Sequence, residues 1–147
     1  MRILLDTNIL TRLTQTAHPH HDRTLVALKQ LRSRGDTPCI VPQVLYEYWV
    51  VATRPQGENG LGMTKDDAAR DLVKMKELFQ LLRDERAILR EWEQLVVAHD
   101  VKGKSGHDAR LVAAMNRHGI RALLTSNPAH FTRFRQITVI TPDELAR

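Results

Sequence analysis

Residues 1–10 read MRILLDTNIL. An apolar run, Ile3-Leu4-Leu5, stops at an acid, Asp6. Thr7 and Asn8 follow, then a second apolar pair, Ile9-Leu10. A short continuous apolar run reads as a strand buried on both faces, the kind found inside a parallel sheet. A carboxylate directly after it stands at the strand's carboxyl end. In open α/β sheets that is where ligands bind.

Working outward, four more strand candidates follow, at 38–41, 79–82, 122–124 and 139–140. Residues 22–34 carry Leu25, Leu28 and Leu31 at helical spacing, with Asp22 as a candidate cap and Gly35 as a stop. Residues 43–53 form a helix that is apolar on most faces and is expected to be well buried. The stretch RPQGENGLG at 54–62 is a loop, whose glycines suggest a flexible rim. Thr64-Lys65-Asp66-Asp67 opens a further helix, with a threonine cap and acids in its first turn. Residues 85–99 and 105–118 are helical, the second ended by Gly119. Strands alternating with helices predict an α/β fold, a parallel sheet covered on both faces. At 147 residues the chain suits one domain over 1–147.

Composition narrows the function classes. A 42% hydrophobic and 27% charged content is that of a globular chain. One cysteine, Cys39, cannot form an internal disulfide. No apolar run reaches the roughly 20 residues of a membrane span, and the N-terminus has no secretory pattern, so the expected compartment is the cytoplasm. A net charge of +5 suits a polyanionic partner as well as plain solubility.

Two further acids sit on apolar helix faces. Asp108 shares its face with Leu111, Val112 and Met115. Ser105-Gly106-His107-Asp108 also fits a capping box, which would give this acid a purely structural task. Glu47 has Val44, Val50 and Val51 as helical neighbours. A carboxylate there is costly unless it is paired, protonated or bound to a metal, and Arg54 is a possible partner. If Asp6, Glu47 and Asp108 converge, their repulsion calls for a hard cation such as Mg²⁺ or Mn²⁺.

At this point the sequence resembles the PIN-domain family, and within it the VapC group of ribonuclease toxins from type II toxin–antitoxin systems. The matching stretches are LLDTNIL at 4–10, PQVLYEYWVVATRP at 42–55, NGLG at 59–62, VKGKSGHDARLVAAM at 101–115 and LLTSNPAHF at 123–131. The resemblance implies a three-layer α/β/α domain with a parallel five-stranded sheet, and a Mg²⁺-dependent endoribonuclease. It places the metal-binding, catalytic acids at Asp6, Glu47 and Asp108, supported by Asn8 and Thr125. A fourth acid of the family pattern is replaced here by Asn127, whose amide would hydrogen-bond a metal-bound water or a phosphate. The resemblance also implies an RNA substrate, a small antitoxin partner and a homodimer.

Lys102 and Lys104, flanking Gly103 ahead of the Asp108 helix, are candidates for the RNA backbone, as are His107, Arg133 and Arg135. Solvated side chains are the plain alternative for each. The glycine-rich segment 57–64 is one residue from a phosphate-binding loop, but Met63 stands where the lysine belongs and a helix precedes it. His18, His20 and His21, broken by Pro19, read as a solvated connection rather than a metal site. Other readings of the chain are an aspartyl-phosphate enzyme built on Asp6, a PIN scaffold that binds RNA without cutting it, and a PIN nuclease of RNA processing outside toxin–antitoxin systems.

Overall fold

A computed structural model describes residues 1–147. The chain runs β1 (Arg2–Leu5), α1 (Thr7–Thr14), α2 (His21–Ser33), β2 (Thr37–Ile40), α3 (Pro42–Thr53), α4 (Lys65–Leu78), β3 (Gln80–Leu81), α5 (Arg86–Ala98), α6 (Ser105–His118), β4 (Ala122–Leu124), β5 (Thr138–Ile140) and α7 (Pro142–Leu145). Short 3₁₀ turns lie at Gln56–Glu58 and Pro128–Phe131. All strand pairs are parallel, in the order β3-β2-β1-β4-β5. The order reverses direction at β1, so the carboxyl ends of β1 and β4 flank a topological switch point. This is the α/β architecture, with a five-stranded parallel sheet, that the sequence predicts.

Ile3, Leu4 and Leu5 are fully buried, as are Leu123 and Leu124 beside them on β4. One continuous hydrophobic cluster extends from Ile3 to Leu145. Among the helices, α5 packs along α6, α1 touches α2 and α3, α3 touches α4, and α2 touches α7. No helix is long and apolar enough to cross a membrane.

Several local expectations change. Residues 7–14, rich in threonine with one asparagine, form α1 although such residues are poor helix formers. Burial of Ile9 and Leu10 outweighs propensity. α2 starts one residue before Asp22, which therefore lies inside the helix and caps nothing. Thr64 does cap α4, accepting from the Asp67 N–H at 3.2 Å.

α3 is less buried than its composition predicts. Tyr46 is 65% exposed and Val50 55%, and with Leu45, Trp49, Leu72 and Lys76 they line a shallow apolar recess.

The 54–62 loop is tied back to α3 by hydrogen bonds. The N–H groups of Leu61, Gly62 and Met63 donate to the carbonyls of Val51, Arg54 and Ala52, closing the end of α3. Gly60 is required there, since a Cβ would stand 1.9 Å from the Arg54 carbonyl oxygen.

Candidate active site

Asp6 leaves β1 and caps α1, its Oδ1 accepting from the Thr7 N–H at 2.7 Å. Its Oδ2 accepts from the Thr125 hydroxyl at 2.7 Å and from Asn8 Nδ2 at 3.2 Å. The Thr125 hydroxyl in turn accepts from Asn8 Nδ2 at 3.3 Å and from the Asn127 N–H at 3.0 Å. Asn8 Oδ1 accepts from the Ser126 N–H at 3.0 Å. Asp6 and Thr125 are both buried, so these bonds form away from bulk water. The sequence-predicted trio Asp6, Asn8 and Thr125 is thus one hydrogen-bonded unit across the ends of β1 and β4. Asn127 joins it through its backbone, and its side chain is exposed.

Glu47 projects from α3 toward the same place. Its Oε2 accepts from the Thr7 hydroxyl at 3.2 Å and its Oε1 from Gln43 Nε2 at 2.7 Å. Neither Arg54 nor any lysine pairs with it. Thr7 therefore links Asp6, through its N–H, to Glu47, through its hydroxyl. Thr7 and Gln43 were not singled out in the sequence. The Thr7 position inside LLDTNIL was the available hint, whereas nothing marked Gln43.

Asp108 lies in the first turn of α6, half-buried, with Leu111, Val112 and Met115 buried on its side of the helix. The predicted capping box is absent. α6 begins at Ser105 itself, and no side chain caps it. Gly103, at φ +62°, turns the chain into the helix, and Trp92 Nε1 donates to the Gly106 carbonyl at 2.8 Å, holding that turn against α5. The Asp108 carboxylate accepts no hydrogen bond, and the His130 ring stands near it, Nδ1 at 3.9 Å from Oδ2.

All three acids hold their protons more tightly than an ordinary carboxyl. Burial is the main cause in each case. For Glu47 and Asp108 the negative charge of Asp6 adds to it, and for Asp108 that of Glu47 as well. Hydrogen bonds from Thr125, Thr7 and Asn8 partly offset the burial of Asp6. No lysine or arginine forms an ion pair with any of them.

The acids stand as neighbours rather than as a closed cage, since no three His, Cys, Asp or Glu side chains are gathered at metal-ligand spacing. Their chemistry nonetheless fits a hard divalent cation: oxygen donors only, partly desolvated and mutually repelling.

The basic candidates are less convergent. Lys102 is exposed and lies 3.6 Å from Asp100. Lys104 immediately precedes α6, and His107 is exposed while its carbonyl accepts from Gln43 Nε2 at 2.8 Å. Arg133 and Arg135 line a separate open cleft with His99, Asp100, Thr132 and Gln136, which contains none of the three acids.

The PIN domain family model matches residues 3–137. No curated protein matches the chain significantly. Among solved structures, the chain is similar to VapBC2 from Rickettsia felis, bound to a DNA fragment from its promoter, with a TM-score of 0.73 and 16% identity over 96% of this chain and 98% of that one. FitAcB from Neisseria gonorrhoeae gives a TM-score of 0.70 at 16% identity, over 99% and 100% of the two chains. VapC20 from Mycobacterium tuberculosis, a sarcin-ricin loop cleaving toxin, gives 0.61 at 19% identity, over 82% and 86%. At these identities the likeness is one of fold.

Proposed function

Because the chain belongs to the PIN-domain family, we propose that it is a metal-dependent endoribonuclease, a single nuclease domain over residues 1–147 that serves as the toxin of a toxin–antitoxin pair. One observation carries the reading. Three carboxylates, Asp6, Glu47 and Asp108, come from three separate elements to the switch point of the sheet with no lysine or arginine to neutralise them. Partly buried acids without a neutralising partner cost stability, which favours a functional reason for keeping them.

Asp6, Glu47 and Asp108 would hold Mg²⁺ or Mn²⁺. Such an ion, when bound, would supply an activated water and charge stabilisation for in-line displacement at phosphorus. Thr125, Asn8 and Thr7 fix the rotamers of Asp6 and Glu47 before substrate arrives. Lys102, Lys104, His107, Arg133 and Arg135 would hold the phosphate backbone of the RNA. The expected protein partners are a small antitoxin and a second copy of the chain. Support for the first is that FitAcB and VapBC2, which share the fold, carry the names of two-component complexes.

The test is cleavage of RNA by the purified chain with Mg²⁺ or Mn²⁺, repeated in excess chelator and with Asp6→Asn, Glu47→Gln and Asp108→Asn. Cleavage that needs the ion and fails in all three variants supports the reading. Undiminished cleavage in chelator would overturn the metal mechanism. Binding without cleavage by the unaltered chain would favour the RNA-binding scaffold instead.

A further inference from the structure

Gln43 is buried at 6% exposure in the first turn of α3, one helical turn before Glu47. Its side-chain amide makes three bonds. Nε2 donates to Glu47 Oε1 at 2.7 Å and to the His107 carbonyl at 2.8 Å. Oε1 accepts from Arg110 Nη1 at 3.1 Å. Arg110 is itself held through Nη2 by Asp84, at 3.3 Å.

The partners define which way the amide points. A carboxylate and a carbonyl only accept, and a guanidinium only donates, so one orientation alone satisfies all three. Both hydrogens of Nε2 are used. One goes to Glu47 on α3 and the other to the residue just before Asp108 on α6. A single buried amide therefore connects the two helices that carry these acids. It does so at the turns where the acids sit, with Arg110 on α6 bracing it from behind.

Three features separate this contact from ordinary core packing. A buried glutamine is uncommon and must be fully bonded to be tolerated. The strongest of its bonds goes to a carboxylate of the site. Its other donor reaches across to the helix that bears a second one.

We propose that Gln43 is a positioning residue of the nuclease site. It sets the rotamer of Glu47 and the spacing between Glu47 and Asp108, and it acts through them rather than by touching RNA. The inference rests on the nuclease reading above. The amide also restricts what position 43 accepts. A glutamate there would set one carboxylate against another and against a carbonyl, whereas a leucine of similar volume would leave Glu47 Oε1, the His107 carbonyl and Arg110 without their partner.

Mn²⁺ binding to the metal-free protein, measured by calorimetry, tests the idea. The set is the unaltered chain, Asp6→Asn, Gln43→Leu and Gln43→Glu, each also melted in chelator. Removing an outer residue that orients a ligand lowers metal affinity about 10- to 100-fold. Gln43→Leu is expected to show such a loss while remaining folded, with Gln43→Glu worse. At saturating Mn²⁺, kcat for RNA cleavage should fall while KM for RNA stays near the parent value, since Gln43 contacts no substrate. A folded Gln43→Leu that binds Mn²⁺ as the parent does would overturn the proposal, and so would an effect confined to KM.

Should Gln43→Leu fail to fold, Arg110→Met decides: it removes the brace on Oε1, together with the exposed Asp84 contact, and leaves the Gln43 bonds to Glu47 and the His107 carbonyl in place. A smaller but clear loss of Mn²⁺ affinity supports the relay, and unchanged affinity overturns it. Failure of the unaltered chain to bind Mn²⁺ at all would remove the nuclease reading, and this inference with it. Binding by the parent that is lost in Asp6→Asn but kept in Gln43→Leu would remove this inference alone.

Discussion

The Thr125 hydroxyl donates to Asp6 Oδ2 at 2.7 Å, joining residues 119 positions apart and closing the gap between the ends of β1 and β4. Because the same oxygen already accepts from Asn8 and from the Asn127 N–H, its one hydrogen has a single destination. Thr125→Val keeps the shape of the side chain and deletes that hydrogen. The expected outcome is a fall in divalent-ion affinity and in cleavage of about 10- to 100-fold. Asp6 would also hold its proton more tightly still, since the lost bond favours the ionised form. Mn²⁺ calorimetry and cleavage rates on the purified variant check this. Parent-like values for both would make Thr125 a packing residue.

Ionisation of the acids sets a pH dependence with a definite sign. Asp6, Glu47 and Asp108 all ionise at higher pH in the fold than in the unfolded chain, with burial as the leading cause. In the interval between the two sets of values the native state binds more protons, so stability falls as pH rises. Their contribution is fully present below the ordinary carboxylate range and is lost as pH climbs through the raised native values. In chelator, Asp6→Asn cannot ionise at that position. Its melting temperature should therefore gain on the parent's from mildly acid to neutral pH. Mg²⁺ should reverse the trend by binding the deprotonated acids of the native parent alone. A melting-temperature difference that does not change with pH, with or without Mg²⁺, would sink the argument.

Asp108 separates a structural from a functional carboxylate. Its capping box is not formed, so no cap is lost on substitution. A true cap would cost about 1 kcal/mol on removal. Asp108→Asn is expected to unfold, in chelator and denaturant, at or above the midpoint of the parent, and to lose cleavage. A clear drop in midpoint would restore the capping role.

What the sequence revealed follows the range of the forces involved. Ile3-Leu4-Leu5 and Ala122-Leu123-Leu124 are legible as strands because burial on both faces demands unbroken apolar runs. Gly119 was legible as the end of α6 because its positive φ suits glycine. α1 was not, since Thr7 and Asn8 serve the site, and Thr11 and Thr14, which bond back to carbonyls of the same helix, are poor helix formers too. Asp6 was legible as an acid at the tip of a buried strand, and Glu47 and Asp108 as acids out of place on apolar helix faces. Gln43 was not, because a glutamine near a helix start is ordinary in sequence. Its meaning comes from His107 and Arg110, 64 and 67 residues away, which only the fold delivers. The Ser105-to-Asp108 pattern misled for the same reason. The helix starts one residue earlier than a box needs, and Trp92 holds the Gly106 carbonyl of that first turn.

The basic residues can be ranked by how occupied they already are. Lys102 has Asp100 beside it, and both are highly exposed. Arg133 and Arg135 form no ion pair, although they share one cleft with His99, Asp100, Thr132 and Gln136. A free guanidinium in a concavity binds phosphate better than a solvated ammonium that already has a partner. Arg133→Ala/Arg135→Ala is therefore expected to weaken RNA binding more than Lys102→Ala/Lys104→Ala. The loss should be similar for unrelated RNA sequences, because phosphate contacts carry no base information. Each contact removed from a single strand should flatten the slope of log affinity against log salt by about 0.7. Cleavage at saturating RNA should fall less than binding, since these contacts exist before the transition state. The measurement is RNA affinity across a salt series in Ca²⁺, chosen to hold off cleavage. Unchanged affinity and slope in both double variants would mean that the net charge of +5 is only a solvated surface, and that the RNA reaches Asp6, Glu47 and Asp108 by another path.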